Sequence, residues 1–200
     1  MGIPEFKKIL FATLQSRSDT TVNFFAGDIG SYDNFITLLN EVSLLLPHDW
    51  QLIVKRHPLS KVEETINNTK FVDDYHIKDI IELSDYILLM NSGVGVLATI
   101  WNKPVIYTAT AFYANEQLNR KAISVQDVLN ILYSGFQPKE EDCIKFISYL
   151  INEFYSFGKM KTKLANYTEQ SNLTITESID IYQLVYEKQT YFIKSAKDHI

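Results

Sequence analysis

The sequence has little cysteine, no excess of basic residues and no long apolar run, and each shortage excludes a class of protein. Cys143 is the sole cysteine among 200 residues, which excludes an internal disulfide framework and a zinc site built on cysteines. The 19 Lys and Arg residues against 24 Asp and Glu residues give a net charge of −5, which argues against a dedicated nucleic-acid-binding protein, because phosphate contacts require a basic surface. The longest uncharged stretch, residues 86–102, is shorter than the ~20 apolar residues of a membrane-spanning helix.

The start of the chain also lacks the features of a secretory signal. Residues 1–6 have no basic start followed by an apolar core, and we interpret them as a leader outside the fold. Together with the single cysteine, this predicts a protein of the reducing cytoplasm. The chain is 46% hydrophobic and 22% charged, which is an ordinary globular composition, and we expect a single domain over residues 7–200.

The first 115 residues alternate between short apolar runs and helical periodicities. The apolar runs predict strands at residues 8–14, 50–55, 70–72, 86–90 and 104–108. Apolar residues at helical spacing, with stop signals such as Pro47, predict helices at residues 33–46, 77–83 and 93–101. Strands separated by helices predict a parallel sheet that is covered on both faces, so residues 7–115 are expected to form an α/β core.

Residues 116–200 are predicted to be mainly helical. Helical periodicity covers residues 125–132, 139–156 and 175–188. The first and last of these helices begin with pairs that fit a capping box, Ser124 with Asp127 and Thr174 with Glu177. The glutamate makes the second pair the better match to that motif. We therefore expect a helical C-terminal tail behind the α/β core.

The turn after the strand at residues 86–90 has the composition of a ligand-binding turn. Ligands of open parallel sheets bind beyond the carboxyl ends of the strands. Asn91, Ser92 and Gly93 connect this strand to a helix, and unpaired N–H groups at a helix start form a natural phosphate seat beside a serine hydroxyl. The alternative is that Asn91 and Ser92 only cap the helix and that the glycine only permits close packing.

Charged residues follow two other predicted strands. Lys55 ends the second strand, and Arg56 and His57 follow it. The three form a local basic spot suited to an anion, unless they are only a solvated strand end. Asp19 lies in the loop after the first strand. Taken alone it is better explained as a cap that accepts local N–H bonds, and the alternative is a catalytic carboxylate.

An adjacent acid pair, Asp73 and Asp74, follows the short strand at residues 70–72. Two carboxylates beside His76 have the ligand types of a metal site. Because His76 is explained equally well as a surface residue, we predict no metal at this position.

Several stretches, taken in order, resemble the capsule polysaccharide synthesis proteins, the family of retaining β-Kdo transferases that use CMP-Kdo. They are residues 9–15, 19–20, 53–59, 84–95, 103–106 and 111–113. The order and spacing of these motifs carry the resemblance, which covers about residues 8–115. It implies a GT-B enzyme, in which two Rossmann-like halves face a cleft. This chain resembles only the C-terminal half, which binds the nucleotide sugar.

The resemblance also implies roles for individual residues. By analogy His57 and the Ser92 turn hold the phosphate of the CMP-sugar, and Lys55 adds positive charge. Asp19 is similar to the carboxylate proposed as the nucleophile of the retaining mechanism. The implied ligands are a CMP-sugar donor and a saccharide or glycolipid acceptor, without any cofactor or metal. Capsule or lipopolysaccharide synthesis implies a cytoplasmic enzyme with peripheral association at the inner membrane.

Two departures from the family pattern bear on this function. Val96 and Leu97 stand where family members commonly carry a glutamate after the Ser-Gly turn, which removes an expected nucleotide contact. Asn102 stands where they usually have glycine, and this change is tolerated because asparagine also enters the left-handed region.

A complete GT-B enzyme also needs an acceptor-binding half, supplied by an N-terminal segment or by a partner chain. We therefore expect little or no turnover from these residues alone. Two alternatives stay open at this point. One is a non-catalytic GT-B-like interaction domain, and the other is a fragment of a teichoic-acid-type polyol-phosphate transferase, which shares the serine-rich strand-to-helix turn.

Overall fold

The computed structural model describes residues 7–58, 60, 64–168, 171–187 and 190–195. The predicted leader, residues 1–6, lies outside the described residues. The chain forms two compact units, of which the first ends at Ile147 and the second begins at Ser148. This division differs from the single domain that the sequence predicts, and each unit is described by itself.

The first unit is built on a six-stranded, all-parallel sheet with the strand order β3-β2-β1-β4-β5-β6. The strands are β1 (Lys8–Thr13), β2 (Trp50–Lys55), β3 (Lys70–Phe71), β4 (Tyr86–Leu89), β5 (Val105–Tyr107) and β6 (Asn119–Lys121). This is the 3-2-1-4-5-6 order of the Rossmann fold, in which the order reverses between β1 and β4. The α/β prediction is confirmed, and β6 is a strand that the sequence analysis did not predict.

Strand register places the ends of β1, β2 and β4 at one edge of the sheet. Lys8 pairs with Trp50 and Thr13 with Lys55, so β1 and β2 start and stop together. Ala12 of β1 pairs with Leu88, which places the end of β4 at the same level. The loops after these strands therefore leave the sheet side by side.

Helices α1 to α6 accompany the strands, and most begin at recognisable caps. They are α1 (Thr20–Phe24), α2 (Tyr32–Leu45), α3 (Ile77–Leu83), α4 (Val94–Ile100), α5 (Val125–Ser134) and α6 (Glu140–Tyr149). The Ser124 hydroxyl accepts from the Asp127 N–H, and the Asp127 carboxylate accepts from the Ser124 N–H at 3.0 Å. The capping box predicted at Ser124 is therefore confirmed. The short α1 and the 3-10 helix Gly27–Ile29 were not predicted.

Both faces of the sheet carry a buried apolar layer. On one face Leu39 and Val42 of α2 pack with Val128 of α5. On the other face Ile80 of α3 packs with Ala98 of α4. Burying a side chain of this size contributes ~1.5–3 kcal/mol, so the two layers hold the sheet rigid beneath the loops at its edge.

The second unit continues from the helical region into a sheet. A π-helical turn covers Leu150–Phe154, so the helix predicted at residues 139–156 is observed as α6 followed by this turn. The sheet is antiparallel, with the order β7-β8-β9. Its strands are β7 (Phe157–Thr168), β8 (Ser171–Glu187) and β9 (Thr190–Ser195). In the described part of the chain, no helix has the length and apolar character needed to cross a membrane.

The prediction of a helix at residues 175–188 is wrong, and with it the capping box at Thr174 and Glu177, since both positions lie in β8. Leu173, Ile175, Ile179 and Ile181 are separated by two or four positions, with Glu177 between the two pairs, which fits the two-residue period of a strand. Thr and Ile also favour strands, because branching at Cβ restricts the side chain in a helix. The predicted helical tail is therefore replaced by strands from Phe157 onward.

Candidate functional site

A cleft of about 650 Å³ opens along the edge of the first unit's sheet where β1, β2, β3 and β4 end. Its walls are formed by Thr13, Leu14, Lys55, Arg56, His57, Pro58, Asp74, Tyr75, His76, Ile77, Ser92, Gly93 and Val94. Five predicted site residues are among them: Lys55, Arg56, His57, Ser92 and Gly93. The strand-end rule therefore places residues from distant parts of the sequence around one cavity.

The two cations after β2 line the cleft but are fastened to the end of β3. The Lys55 Nζ donates to the Asp73 carbonyl oxygen. The Arg56 Nη1 donates to Asp73 Oδ2 at 2.6 Å, and the Arg56 N–H donates to Asp73 Oδ1 at 2.7 Å. The Arg56 guanidinium also lies 3.4 Å from the ring centre of Phe71. Both side chains therefore hold the loops in place and are not simply solvated, and Asp73 offsets part of their charge.

His57 lines the cleft directly after Arg56. It is half-buried, and its carbonyl oxygen accepts from the Ser60 N–H at 2.9 Å. Pro58 follows it in the cleft wall and restricts the backbone of His57. The imidazole is therefore presented from an ordered turn.

The Ser92 turn presents a hydroxyl and an open backbone to the cleft. The Ser92 Oγ accepts from the Val94 N–H at 3.3 Å, and a hydroxyl that accepts one bond still has its own proton to donate. A Cβ built on Gly93 has no atom within 4 Å, so the space in front of this glycine is open. Ser92 therefore makes the helix-cap contact that the capping interpretation predicts. Its hydroxyl proton stays available for a phosphate oxygen, as the phosphate-binding interpretation requires.

Tyr113 stabilises the Ser92 turn through a hydrogen bond, a role that was not predicted from the sequence. Its side chain is 1% exposed, and its hydroxyl donates to the Ser92 carbonyl oxygen at 2.7 Å. Burial raises the pKa of Tyr113 well above its ordinary value, so the hydroxyl stays a donor. A Cβ on Gly95 would lie 2.5 Å from the Tyr113 Cζ. Glycine at position 95 is therefore what lets the ring reach the turn.

Asn91, predicted as a binding residue, is instead committed to other parts of the protein. The residue is 8% exposed and is not among the residues that line the cleft. Its Nδ2 donates to the carbonyl oxygens of Thr21 and Phe25, both at 3.0 Å. Its Oδ1 accepts from Gln15 Nε2 at 3.0 Å. Asn91 therefore ties α1 to the end of β4.

Asp19 is the N-cap of α1, as its residue type alone favours, and it does not line the cleft. Its Oδ1 accepts from the Thr21 N–H and hydroxyl, both at 2.9 Å. Burial raises the pKa of Asp19, but hydrogen bonds from Thr21 and Gln15 and the positive charge of His57 outweigh that effect, so the pKa lies below its ordinary value. The Asp19 side chain is therefore an ionised carboxylate at neutral pH, and its pKa is lowered in part by His57, which lines the cleft.

The turn between β3 and α3 forms one end of the cleft, whereas its sequence was considered only for a metal site. Asp74, Tyr75 and His76 all line the cavity. His76 is the N-cap of α3, and its Nδ1 accepts from the Lys78 N–H at 3.3 Å. The position of this turn could have been predicted, because the parallel strand predicted at residues 70–72 must end at the same edge of the sheet as its neighbours.

No metal is needed to explain the acid pair at this turn. Asp73 is bound to the Arg56 guanidinium at 2.6 Å, so its carboxylate is already matched by a positive charge. Among the described residues, no three or more His, Cys, Asp or Glu side chains are grouped as metal ligands would be.

Comparison with known proteins places this geometry in a family. The family described as "capsule polysaccharide biosynthesis protein" matches residues 2–127. No curated protein matches the chain significantly. Among solved structures, the chain is similar to the β-Kdo 2,4 transferase of Thermosulfurimonas dismutans KpsC, with 17% identity and a TM-score of 0.50 over 62% of this chain and 41% of that one.

Two further solved structures match the chain with TM-scores below 0.5. The β-Kdo 2,7 transferase of Thermosulfurimonas dismutans KpsC has 22% identity and a TM-score of 0.47 over 72% of this chain and 55% of that one. The wall teichoic acid polymerase TagF has 15% identity and a TM-score of 0.43 over 76% of this chain and 40% of that one. The chain therefore spans only about half or less of these proteins. Because the family match covers more than half of the chain and includes every residue that lines the cleft, this chain belongs to the capsule polysaccharide biosynthesis protein family.

Proposed function

We propose that this chain is the nucleotide-sugar-binding, C-terminal half of a GT-B glycosyltransferase that uses a CMP-sugar, with CMP-Kdo as the expected donor. The product is a capsule or lipopolysaccharide polysaccharide. The observation that carries the proposal is that His57 and Ser92, from strand ends 35 positions apart in the sequence, line the same cleft. Membership of the capsule polysaccharide biosynthesis family supports the reaction class.

The composition of the cleft suits a nucleotide with one phosphate. Its volume of about 650 Å³ falls within the ~300–1,000 Å³ of small-molecule sites. The Ser92 hydroxyl and the His57 ring supply donors for the phosphate oxygens. Lys55 and Arg56 add positive charge that Asp73 only partly offsets. Charge of this sign stabilises the CMP anion as it leaves the sugar.

Asp19 is the proposed nucleophile. Because Asp19 lies in the loop after β1 and does not line the cleft, the sugar of the donor must extend out of the cleft toward that loop. A carboxylate oxygen attacks the anomeric carbon as the bond from that carbon to the phosphate oxygen breaks and CMP departs with the electron pair. An acceptor hydroxyl then displaces the carboxylate and loses its proton, and two inversions give net retention. The depressed pKa of Asp19 supports the proposal, because only the ionised carboxyl can attack. In this proposal Lys55 and Arg56 supply the positive charge that stabilises the departing phosphate, and no cofactor or metal is called on.

The acceptor site belongs to the rest of the proposed enzyme. A saccharide or glycolipid acceptor is bound by an N-terminal half or by a partner chain, on the cytoplasmic side of the inner membrane. The residues described here are therefore expected to bind donor and to show little or no turnover alone. Val96 and Leu97, at the position of the family glutamate, weaken the expected contact with the nucleotide.

Calorimetric titration with CMP tests the donor site. We expect the unmodified chain to bind CMP and His57→Ala to bind at least about tenfold more weakly, because a hydrogen bond to a charged group contributes ~1.5–3 kcal/mol. His48→Ala is the matched control, since His48 is exposed and lies outside the cleft. Absence of binding at millimolar CMP, or equal binding by His57→Ala, contradicts the proposal.

The non-catalytic interaction domain is the second candidate, and one observation favours it. The acidic residue expected at the start of α4 is replaced by Val96 and Leu97, which leaves the cleft without a ribose acceptor at that position. A chain that keeps this fold only to pack against a partner binds no CMP in the same titration. The two functions are therefore separated by one measurement on the unmodified protein.

A further inference from the structure

The cleft has two chemically different ends. Along the sheet edge the strand order is β3-β2-β1-β4, and neighbouring strands lie ~4.8 Å apart, so the ends of β3 and β4 are ~14 Å apart. The hydroxyl of Ser92 lies at the β4 end, and the positive charges of Lys55 and Arg56 lie after β2. The turn after β3 is the far end. A ligand held at Ser92 and His57 that fills the cleft must therefore extend toward β3.

The β3–α3 turn carries ring systems rather than mobile cations. Tyr75 lines the cleft and is 45% exposed, so a large part of the residue is accessible to a ligand. Ile77 adds an apolar surface beside it. Planar and apolar groups of this kind bind the face of a heterocycle.

His76 is held in a defined orientation at the same turn. Its Nδ1 accepts from the Lys78 N–H at 3.3 Å as the cap of α3. When Nδ1 accepts, the proton of the neutral ring sits on Nε2, so Nε2 is a hydrogen-bond donor. The cap therefore determines both the position of the imidazole and the nitrogen that donates.

We propose that the β3–α3 turn binds the pyrimidine base of the nucleotide, with the base stacked on Tyr75 and a base oxygen or nitrogen accepting from His76 Nε2. This inference rests on the proposed function and deepens it, because it assigns the base to the β3 end of the cleft and leaves the phosphate to His57 and Ser92. The turn then distinguishes a nucleotide from a plain sugar phosphate, whereas His57 and Ser92 do not.

Ligand-observed NMR titrations with CMP and with ribose 5-phosphate separate the two ends, because the second ligand keeps the ribose and phosphate and lacks the base. We expect Tyr75→Ala to weaken CMP binding about tenfold, since base stacking on an aromatic ring is worth ~1–3 kcal/mol. Ribose 5-phosphate binding is expected to stay within twofold. Tyr75→Phe keeps the ring and rescues CMP binding. Tyr133→Ala is the control, because Tyr133 is exposed and lies in α5, away from the cleft.

The two roles of His76 are separated by a pair of variants. His76→Asn keeps a side-chain acceptor for the Lys78 N–H and removes the imidazole, whereas His76→Ala removes both. We expect both to weaken CMP binding several-fold with ribose 5-phosphate unaffected, and only His76→Ala to lower the melting temperature, because only it removes the cap.

The outcomes distinguish this inference from the proposed function. If the unmodified chain binds CMP and His57→Ala does not, while Tyr75→Ala and His76→Asn bind CMP normally, the base lies elsewhere and only the inference fails. If the Tyr75 and His76 variants lose both ligands equally, the turn has no selectivity for the base and the inference also fails. If the unmodified chain binds neither ligand, the proposed function and the inference fail together.

Discussion

Gly95 and Gly93 lie two positions apart, and alanine at each is expected to have opposite consequences. A Cβ at position 95 would lie 2.5 Å from the Tyr113 Cζ and 2.6 Å from its hydroxyl oxygen. That ring is fully enclosed and cannot move aside without disturbing the bond to the Ser92 carbonyl. A Cβ at position 93 meets nothing within 4 Å, and the backbone there has a helical φ of −57°. The first substitution is a steric conflict and the second is not.

The expected magnitude combines three effects. Overpacking a well-filled core costs ~1–3 kcal/mol. Loss of the Tyr113 hydrogen bond adds ~0.5–1.5 kcal/mol. Alanine in place of glycine inside a helix favours the folded state by ~0.5–1 kcal/mol, which offsets part of these two losses. Gly95→Ala should therefore lower the free energy of unfolding by about 0.5–4 kcal/mol, whereas Gly93→Ala, at the helix start, should change it by less than about 0.5 kcal/mol.

Urea unfolding and CMP titration of the two variants measure both effects. We expect Gly95→Ala to lose stability and, because the Ser92 turn shifts, CMP affinity as well. Gly93→Ala should keep its stability and bind CMP more weakly, since the new methyl group occupies space that the proposed ligand uses. A double-mutant cycle with Tyr113→Leu isolates the clash, because the cost of alanine at position 95 should fall when the ring is absent. If Gly95→Ala is as stable as the unmodified chain, the argument about Tyr113 is refuted.

Three further predictions concern contacts that hold the loops. Asp127→Asn should lower the free energy of unfolding by ~1 kcal/mol at neutral pH. Hydrogen bonds from Ser124 hold the pKa of Asp127 in the folded protein below its ordinary 3.8, so the carboxylate stabilises the fold above pH 3.8 and stops doing so as the pH falls through the folded pKa. The urea unfolding curves of the two proteins should therefore converge at that low pH. Glu64→Gln weakens the 2.8 Å bond from Arg17, and because Arg17 is 41% exposed the loss in urea unfolding should be only ~1 kcal/mol. Asn91→Ala removes the side-chain donor to the Thr21 and Phe25 carbonyl oxygens, which keep the Phe25 and Thr110 N–H groups as donors. The loss of two hydrogen bonds should speed amide exchange over residues 20–25 and cost ~1–3 kcal/mol.

The strands of the first unit were predictable because they are buried on both faces. Residues 86–90 are continuously apolar, and β4 occupies Tyr86–Leu89 with every side chain buried, which is what a central parallel strand requires. β6 could not be predicted in the same way, because its residues Asn119–Lys121 are polar and its pairing with β5 is a consequence of the whole sheet. β8 was misassigned because its apolar residues fit a helical spacing at some positions and a strand spacing at others.

Most of the predicted residues do line the cleft, but the contacts that each of them makes could be predicted only in part. His57 and Ser92 follow clear apolar strands, and the topology of a parallel sheet brings such ends together. The partners of Asn91 lie 70 and 66 positions away, and no local pattern identifies them. Arg56 is likewise defined by Asp73, 17 positions on. The strand before the β3–α3 turn was predicted, but Asp73, Asp74 and His76 were weighed only as metal ligands, because nothing local connects them with Lys55 and Arg56.

The reversal of strand order between β1 and β4 explains why the proposed nucleophile and the Ser92 turn are mechanically connected. Gln15, directly after β1, donates to Asn91 Oδ1 at 3.0 Å and to the Thr21 hydroxyl at 3.1 Å. Thr21 in turn donates to Asp19 at 2.9 Å. Asn91 is the residue before Ser92, so a short chain of hydrogen bonds runs from the carboxylate to the turn. A shift of either strand end therefore moves both groups, and their relative position depends on β1 and β4 rather than on the exposed loops.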